Sequence, residues 1–110
     1  MICVKFLADE KGLYGFEISG HGTESCDDEL GKLVCASVSS AAYMAANTIT
    51  DIICDSAGID CSDGEMYVTV SKPSDKTVAV LEGLRLHLTE LSKQYSNNIR
   101  IYGGAKHVKD

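Results

Sequence analysis

Two short runs in which apolar and polar residues alternate open the chain, at residues 2–7 and 13–18. A period of two is typical of half-buried strands. The polar segment 9–12 between the runs ends in a glycine and predicts a tight turn. The pattern therefore predicts an antiparallel hairpin whose second strand ends at residues 20–22, with the sequence Gly-His-Gly.

From Leu33 onward the spacing of apolar residues changes to three and four. These residues are Val34, Val38, Ala41, Ala42, Ala45, Ile49, Ile52 and Ile53, and no proline or glycine interrupts them before Gly58. The spacing predicts a helix that ends near Ala57, with Gly58 as the residue after its C-cap. Small side chains fill the first half of this helix, so we expect it to pack closely on a sheet.

The residues before this helix allow two different starts. In the first, Asp27 or Asp28 caps the helix, and Ser25 with Asp28 forms a capping box. In the second, a loop extends to Gly31 and the helix begins just after it. Only the second start places Cys35 close to the helix N-terminus.

The second half of the chain again alternates between strand and helix. Residues 60–64 predict a turn and residues 66–71 predict a third strand. A helix capped by Ser74 or Asp75 follows, with a buried leucine-rich stripe. His87 lies beside that stripe, and we interpret it as a surface or boundary histidine.

Residues 99–102 alternate and predict a last edge strand, and residues 103–110 are expected to be a frayed tail. The order of elements is therefore strand, strand, helix, strand, helix, strand. This order predicts an α+β fold, a small and mostly antiparallel sheet with both helices packed on one face. The length of 110 residues fits a single domain that spans 1–110.

The charge balance narrows the range of partners. Ten Lys and Arg residues stand against sixteen Asp and Glu residues, which gives a net charge of −6. A chain with this net charge does not neutralise the phosphate groups of a nucleic acid, so we expect no direct nucleic-acid partner. A basic peptide would instead be attracted. No apolar run approaches the roughly 20 residues that span a bilayer, and there is no signal-peptide layout. We therefore expect a cytoplasmic protein with no membrane partner.

Five cysteines, at positions 3, 26, 35, 54 and 61, form an odd set without a C-x-x-C pair. In the cytoplasm they are expected to be thiols, most of them small buried side chains. His21, Cys26 and Cys35 offer three metal ligands, but their spacing fits no familiar zinc pattern. The sequence therefore predicts no metal and no other cofactor.

One histidine and one cysteine lie on different elements and suggest nucleophilic chemistry. His21 ends the second strand, and Cys35 lies near the start of the first helix. An imidazolium and a helix N-terminus both lower the pKa of a thiol below its usual value of about 8.5, which favours the nucleophilic thiolate. Backbone N–H groups of residues 35–37, if close to the helix start, would bind the oxyanion of an acyl-transfer intermediate. The pair predicts a cysteine hydrolase.

Two sequence motifs resemble those of a known family. Gly-His at 20–21 and Val-Cys-Ala-Ser-Val-Ser at 34–39 are similar to the motifs of the bacterial ribosomal-processing cysteine protease family. The resemblance spans nearly the whole chain. It implies a small α+β homodimer that removes a short N-terminal extension from a large-subunit ribosomal protein, with Cys35 as the nucleophile and His21 as the general base.

The residues around this pair are candidates for binding the substrate. By the resemblance, Ser39 matches the motif serine, and we predict that Gly22, Ser37 and Ser39 line the substrate site. The alternative for the serines is structural, because small hydroxyl side chains in a helix often bond to carbonyls of the preceding turn.

One position departs from the family pattern. Members commonly carry an aspartate three residues before the cysteine, where this chain has Lys32. The role of that aspartate then passes to Asp27 or Asp28, or it is absent. Lys32 would itself favour the thiolate electrostatically.

The chain also has an alternative function from a different class. A non-catalytic, dimeric, ribosome-associated binding module would have the same fold, with Cys35 as a structural residue. Fast and selective alkylation of Cys35 distinguishes the protease from this module.

Overall fold

The computed structural model describes residues 1–20, 28–62 and 64–104, and these ranges contain five strands and two long helices. In chain order they are β1 (Ile2–Asp9), β2 (Gly12–Ser19), α1 (Glu29–Asn47) with a π-helical extension (Thr48–Ile53), β3 (Ala57–Ser62), β4 (Glu65–Val70), α2 (Asp75–Gln94) and β5 (Ile99–Gly103). The sheet order is β3-β4-β2-β1-β5. Its neighbouring strands are antiparallel except β1 and β5, which run parallel.

The core lies between the helices and one face of the sheet. Alternate strand residues are buried there, as a half-covered sheet requires. They include Ile2, Val4, Phe6, Phe16, Ile18, Met66, Val68 and Val70, which form one cluster with Val34, Val38, Leu81 and Leu88 of the helices. This arrangement confirms the predicted α+β fold with a small, mostly antiparallel sheet.

The opening hairpin forms as the alternation predicts. Phe6 of β1 pairs with Phe16 of β2, and their rings lie 6.2 Å apart. In the turn, the N–H of Lys11 donates to Oδ1 of Asp9 at 2.8 Å. The hairpin therefore ends β2 at Ser19, directly before the Gly-His pair.

Asp28 caps α1. Its Oδ1 accepts the N–H of Gly31 at 2.6 Å, and its backbone carbonyl accepts the N–H of Lys32 at 2.9 Å. Such a cap contributes about 1 kcal/mol to helix stability. The helix begins at Glu29, so the earlier of the two predicted starts is confirmed and the start after Gly31 is wrong. Cys35 is consequently the seventh residue of α1, in its second turn.

The end of this helix differs from the prediction. The α-helix stops at Asn47, the π-helical extension continues to Ile53, and Cys54 leaves the helix with a φ of 68°. The sequence predicts a helix to Ala57 because apolar residues keep their helical spacing through Ile53. In the extension Ile49 is buried and Ile53 is partly buried, but Ile52 is 77% exposed, so the spacing of apolar residues does not reveal the change in helix geometry.

Strand β3 is an element that the sequence analysis missed. Residues 60–64 were expected to form a turn, and Gly58 was expected to follow a helix C-cap. Instead, Gly58 lies inside β3 and pairs with Thr69 of β4. In β3 the residues Ala57, Ile59 and Cys61 alternate with Gly58, Asp60 and Ser62, but the run is short and follows the helical pattern directly. Gly58 and Asp60 are also typical of helix ends and turns, which is why the strand was not predicted.

Asp55 joins the end of the π-helical extension to the start of α2. Its Oδ2 accepts the N–H of Ser74 at 2.9 Å, the hydroxyl of Ser74 at 2.8 Å and the hydroxyl of buried Thr77 at 2.5 Å. The Thr77 bond, followed by the two Ser74 bonds, holds the pKa of Asp55 below its usual value. Ser74 is the N-cap of α2, which confirms one of the two predicted caps.

The last strand is confirmed as an edge strand, and it extends to Gly103. Residues 105–110 of the predicted tail lie outside the described residues, as do Ser25 and Asp27 of the predicted helix start. Across the described ranges, no helix combines the length and the apolar character needed to cross a membrane.

Asp55→Asn is expected to lower the thermal midpoint by several degrees at pH 7, because it removes the charge that three donors stabilise. Since the pKa of Asp55 is lowered by folding, its stabilisation is present above the unfolded-state pKa of about 4 and is lost as pH falls through the folded-state pKa. The difference between wild type and variant should shrink over that acidic range. Thermal denaturation at a series of pH values measures it.

The matched control is Asp51→Asn, which changes an exposed carboxylate bonded to its neighbour Thr50. We expect this control to leave the midpoint nearly unchanged. Equal midpoints for wild type and Asp55→Asn at pH 7 would contradict the role of Asp55.

Candidate functional site

Cys35 lies on the inner side of α1. Its side chain is 8% exposed, and the neighbouring Val34 and Val38 are fully buried. The predicted general base His21 and the predicted contact Gly22 lie outside the described residues. The structure therefore places the candidate nucleophile but leaves its pairing with His21 as a prediction.

Four side chains follow one flank of α1. Lys32, Cys35, Ser39 and Tyr43 are spaced by three, four and four residues, which puts them one above another on the helix surface. Cys35 is buried, Ser39 is half-buried and Tyr43 is 47% exposed. These four residues are called the Cys35 flank below. The flank leads from the core at Cys35 to solvent at Tyr43.

Tyr43 connects this flank to the edge of the sheet. Its hydroxyl donates to Sγ of Cys61 on β3, at 3.8 Å. This bond raises the pKa of Tyr43 above its usual value, and the negative charge of an ionised Cys61 and partial burial add to the shift. The hydroxyl of Tyr43 therefore joins α1 to β3 at this point.

The opposite flank of α1 faces a groove of about 830 Å³ between α1 and α2. Ser37 and Met44 line it from α1, and Gly83 and exposed His87 line it from α2. Position 37 is turned by about 200° from position 35 around an α-helix. The groove and Cys35 therefore lie on different sides of α1.

The hydroxyl of Ser37 donates to the backbone carbonyl of Leu33 at 2.9 Å. A structural role for the serines predicts this bond to the preceding turn. Ser39 instead shares the flank of Cys35. The substrate contacts of both serines remain predictions, and Ser39 is the better placed of the two.

The helix terminus does not activate Cys35. Only the first four N–H groups of an α-helix lack an acceptor within the helix, and α1 begins at Glu29. Residues 35–37 lie beyond them, and the carboxylate of Asp28 already occupies the terminus. The predicted oxyanion site at residues 35–37 and the activation of Cys35 by the helix start are therefore wrong.

The cysteines differ in oxidation state. Cys35 is disulfide-bonded, whereas Cys3, Cys54 and Cys61 are free. The prediction of thiols is confirmed for these three and wrong for Cys35, and Cys26 lies outside the described residues. Because the thiolate is the nucleophilic form of cysteine, any nucleophilic chemistry at Cys35 begins with its reduction.

Gly20 is required by the backbone at the end of β2. Its φ is +82°, and a Cβ atom at this position would collide with the carbonyl oxygen of Met1. Residues other than glycine rarely adopt such a φ. Close contact with the start of the chain therefore fixes the residue directly before His21.

A metal site finds no support in the part of the chain that the structure describes. No three His, Cys, Asp or Glu side chains in residues 1–20, 28–62 and 64–104 are arranged to hold an ion. Of the three ligands considered from the sequence, His21 and Cys26 lie outside these ranges.

An acidic cluster surrounds Tyr67 on the sheet face that points away from the helices. Glu17 and Asp60 pair with Tyr67 across neighbouring strands, and Glu65 lies two residues before it. A hydrogen bond with Glu65, followed by partial burial and the charges of these carboxylates, raises the pKa of Tyr67. Because Met66 and Val68 face the helices, this cluster is separated from Cys35 by the sheet.

The sequence analysis missed Tyr43 and Cys61 as residues near the site. Tyr43 lies in the run of small residues that was assigned to packing, and Cys61 lies in the predicted turn. The separation of eight residues between Cys35 and Tyr43, twice the helical neighbour spacing of four, is the signal that places both on one flank.

The opening hairpin, the helix after it and the mixed sheet define a small α+β protein with a nearly buried cysteine on its first helix. The chain belongs to the cysteine protease Prp family, whose sequence profile matches residues 1–100. Membership of this family indicates a cysteine protease. No curated protein matches the chain.

Solved structures share the fold. The essential ribosomal processing protease Prp from S. aureus in complex with a substrate peptide has a TM-score of 0.83 and 20% identity, over 93% of this chain and 99% of that chain. The S. aureus protein with a covalently linked product peptide has a TM-score of 0.78 and 21% identity, over 94% and 99%. SMU.848 from Streptococcus mutans has a TM-score of 0.79 and 22% identity, over 94% and 93%.

Two glycine substitutions are expected to have opposite effects on stability. Gly20→Ala should lower the thermal midpoint, because its Cβ meets the carbonyl of Met1 at an unfavourable φ. Gly83→Ala should stabilise the fold by roughly 0.5–1 kcal/mol, because its Cβ meets no atom within 4 Å and alanine favours the helix. Calorimetry of both variants tests this, and similar shifts for the two would contradict the close contact at Gly20.

Proposed function

We propose that this chain is a cysteine endopeptidase that removes a short N-terminal extension from a bacterial large-subunit ribosomal protein. The Cys35 thiolate is the nucleophile and His21 is the general base. The observation that carries the proposal is the match of residues 1–100 to the cysteine protease Prp family, within which the Gly-His and Val-Cys-Ala motifs lie.

The reaction proceeds by acyl transfer. The thiolate adds to the carbonyl carbon of the scissile peptide bond, and the imidazolium of His21 protonates the departing amine. The mature protein leaves with a new N-terminus, and the extension remains on Cys35 as a thioester. Water, deprotonated by His21, then hydrolyses the thioester and releases the extension as a carboxylate.

The solved relatives support the proposed substrate. The S. aureus protein is described as a ribosomal processing protease and has been captured with a substrate peptide and with a covalently linked product peptide. A covalent product agrees with a thioester route. The net charge of −6 would further attract a basic ribosomal protein.

The proposal includes a homodimer that works in the cytoplasm. A chain of 110 residues buries a smaller fraction of its surface than a larger domain does, so association would add to its stability. Large apolar side chains are exposed on both helices, including Leu33 and Leu86. Such exposure is common at surfaces that contact other proteins.

One observation favours the non-catalytic alternative. Cys35 is nearly buried and disulfide-bonded, as a structural cysteine would be. In the binding module, reduction would not change function and Cys35→Ala would still bind its partner. The experiment below separates the two functions.

Cys35→Ala and His21→Ala are each expected to abolish cleavage of an N-terminally extended large-subunit ribosomal protein. The first removes the nucleophile and the second removes the base. The assay follows the precursor and the mature protein by mass spectrometry, in the presence of a thiol reductant because Cys35 must be reduced. Without the reductant, we expect the wild-type rate to fall.

Cys54→Ala is the matched control, since Cys54 is a free and exposed cysteine away from the Cys35 flank. It should cleave at the wild-type rate. After reduction, iodoacetamide should label Cys35 faster than Cys3, Cys54 or Cys61. Full cleavage by Cys35→Ala would refute the proposed function.

Lys32→Ala is expected to slow alkylation of reduced Cys35 several-fold. Lys32 lies one helical turn before Cys35 on the same flank, where its positive charge favours the thiolate. The rate is measured by labelling with iodoacetamide at low salt and quenching samples at a series of times. Lys76→Ala on α2 is the control, and an equal rate for Lys32→Ala and wild type at low salt would show that Lys32 does not act on the thiolate.

A further inference from the structure

We infer that Tyr43, Cys61 and Ile59 form a subsite that takes a large apolar side chain of the substrate, about three residues away from the bond that Cys35 cleaves. The inference rests on the proposed function and adds to it a determinant of substrate choice. It is carried by the position of Tyr43 on the Cys35 flank and by its contact with the edge strand β3.

The distance between Cys35 and Tyr43 fits an extended peptide. Eight residues of α-helix rise about 12 Å. An extended chain advances about 3.3 Å per residue, so three to four substrate residues span the flank from Cys35 to Tyr43.

β3 brings the edge of the sheet to Tyr43. The chain returns after the π-helical extension, and Sγ of Cys61 accepts the Tyr43 hydroxyl at 3.8 Å. One side of the subsite is therefore formed where α1 meets β3.

Ile59 extends this wall. It lies two residues before Cys61, so both side chains are on the sheet face that carries the helices. Ile59 is 43% exposed and Tyr43 is 47% exposed. The partly exposed Tyr43 ring and the partly exposed Ile59 side chain offer a contact surface for an apolar side chain of the substrate.

The open edge of β3 gives a reason for the substrate to be extended there. β3 pairs with β4 on one side and forms one edge of the five-stranded sheet. An extended peptide can add to such an edge through main-chain hydrogen bonds, while its alternate side chains enter pockets. Every second side chain of a peptide on this edge would point to the sheet face that carries the helices, where Tyr43 lies.

The test combines enzyme variants with a peptide series. The probe is a synthetic peptide that spans the cleavage junction of the large-subunit ribosomal protein precursor from the same genome. In the series, each residue within four positions of the cleaved bond is replaced by alanine in turn. For the wild-type enzyme, kcat/KM should fall about tenfold for one peptide of the series. In that peptide, alanine replaces an apolar residue about three positions from the cleaved bond.

Tyr43→Ala should lose about the same factor on the parent peptide, mainly through a higher KM. It should not lose further activity when the apolar residue is also replaced, because the contact is already absent. Tyr43→Phe keeps the ring and loses only the bond to Cys61, so it should retain the preference. Circular dichroism confirms that each variant is folded.

The matched control is Met44→Ala. Met44 is also exposed on α1, but it lines the groove on the opposite flank, so this variant should keep the wild-type preference. If Tyr43→Ala loses activity equally on every peptide of the series, or loses none, the subsite is refuted while the protease remains. If wild type cleaves no peptide, the proposed function fails and the subsite fails with it.

Discussion

The rotational setting of α1 on the sheet is the constraint on which the candidate site depends. Val34, Val38, Ala42, Ala45 and Ile49 have no exposed surface, and they form a single stripe against the strands. A rotation of the helix about its axis by the angle of one residue would expose valine side chains. The burial of each valine stabilises the fold by about 1.5–3 kcal/mol. The stripe therefore fixes which side chains lie on its two flanks, with Cys35 and Tyr43 on one and Ser37 and Met44 on the other.

Two polar interactions define the two ends of α1 and its extension. Asp28 fixes the start of the helix through the N–H of Gly31, and Asp55, just beyond the π-helical extension, accepts three hydrogen bonds from the first turn of α2. The second interaction also determines where the chain turns back into β3. Cys61 of β3 contacts Tyr43, and the anchored residue Asp55 lies on the chain segment between these two residues.

Most of the fold could be predicted from the sequence, because half-buried elements carry a period. The hairpin of residues 2–18, the body of α1 and the leucine stripe of α2 all show it. β3 was not predicted because its alternation covers only residues 57–62, and Gly58 and Asp60 within it favour a helix end and a turn. The helix start was also undecided, because Asp28 and Gly31 are both plausible boundaries and only the hydrogen bond between them selects one. Cys35 and Ser39 were identified through motifs, whereas Tyr43 required the rotation of α1, which depends on packing across the whole chain.

The early helix start changes how a thiolate at Cys35 would be stabilised. The field of a helix terminus falls off within the first turn, and Cys35 lies in the second, so the terminus contributes little. Lys32 is the charge of the flank nearest to Cys35 along α1. Its positive charge favours a thiolate in place of the helix terminus. Within the proposed mechanism, His21 accepts the thiol proton and then protonates the departing amine.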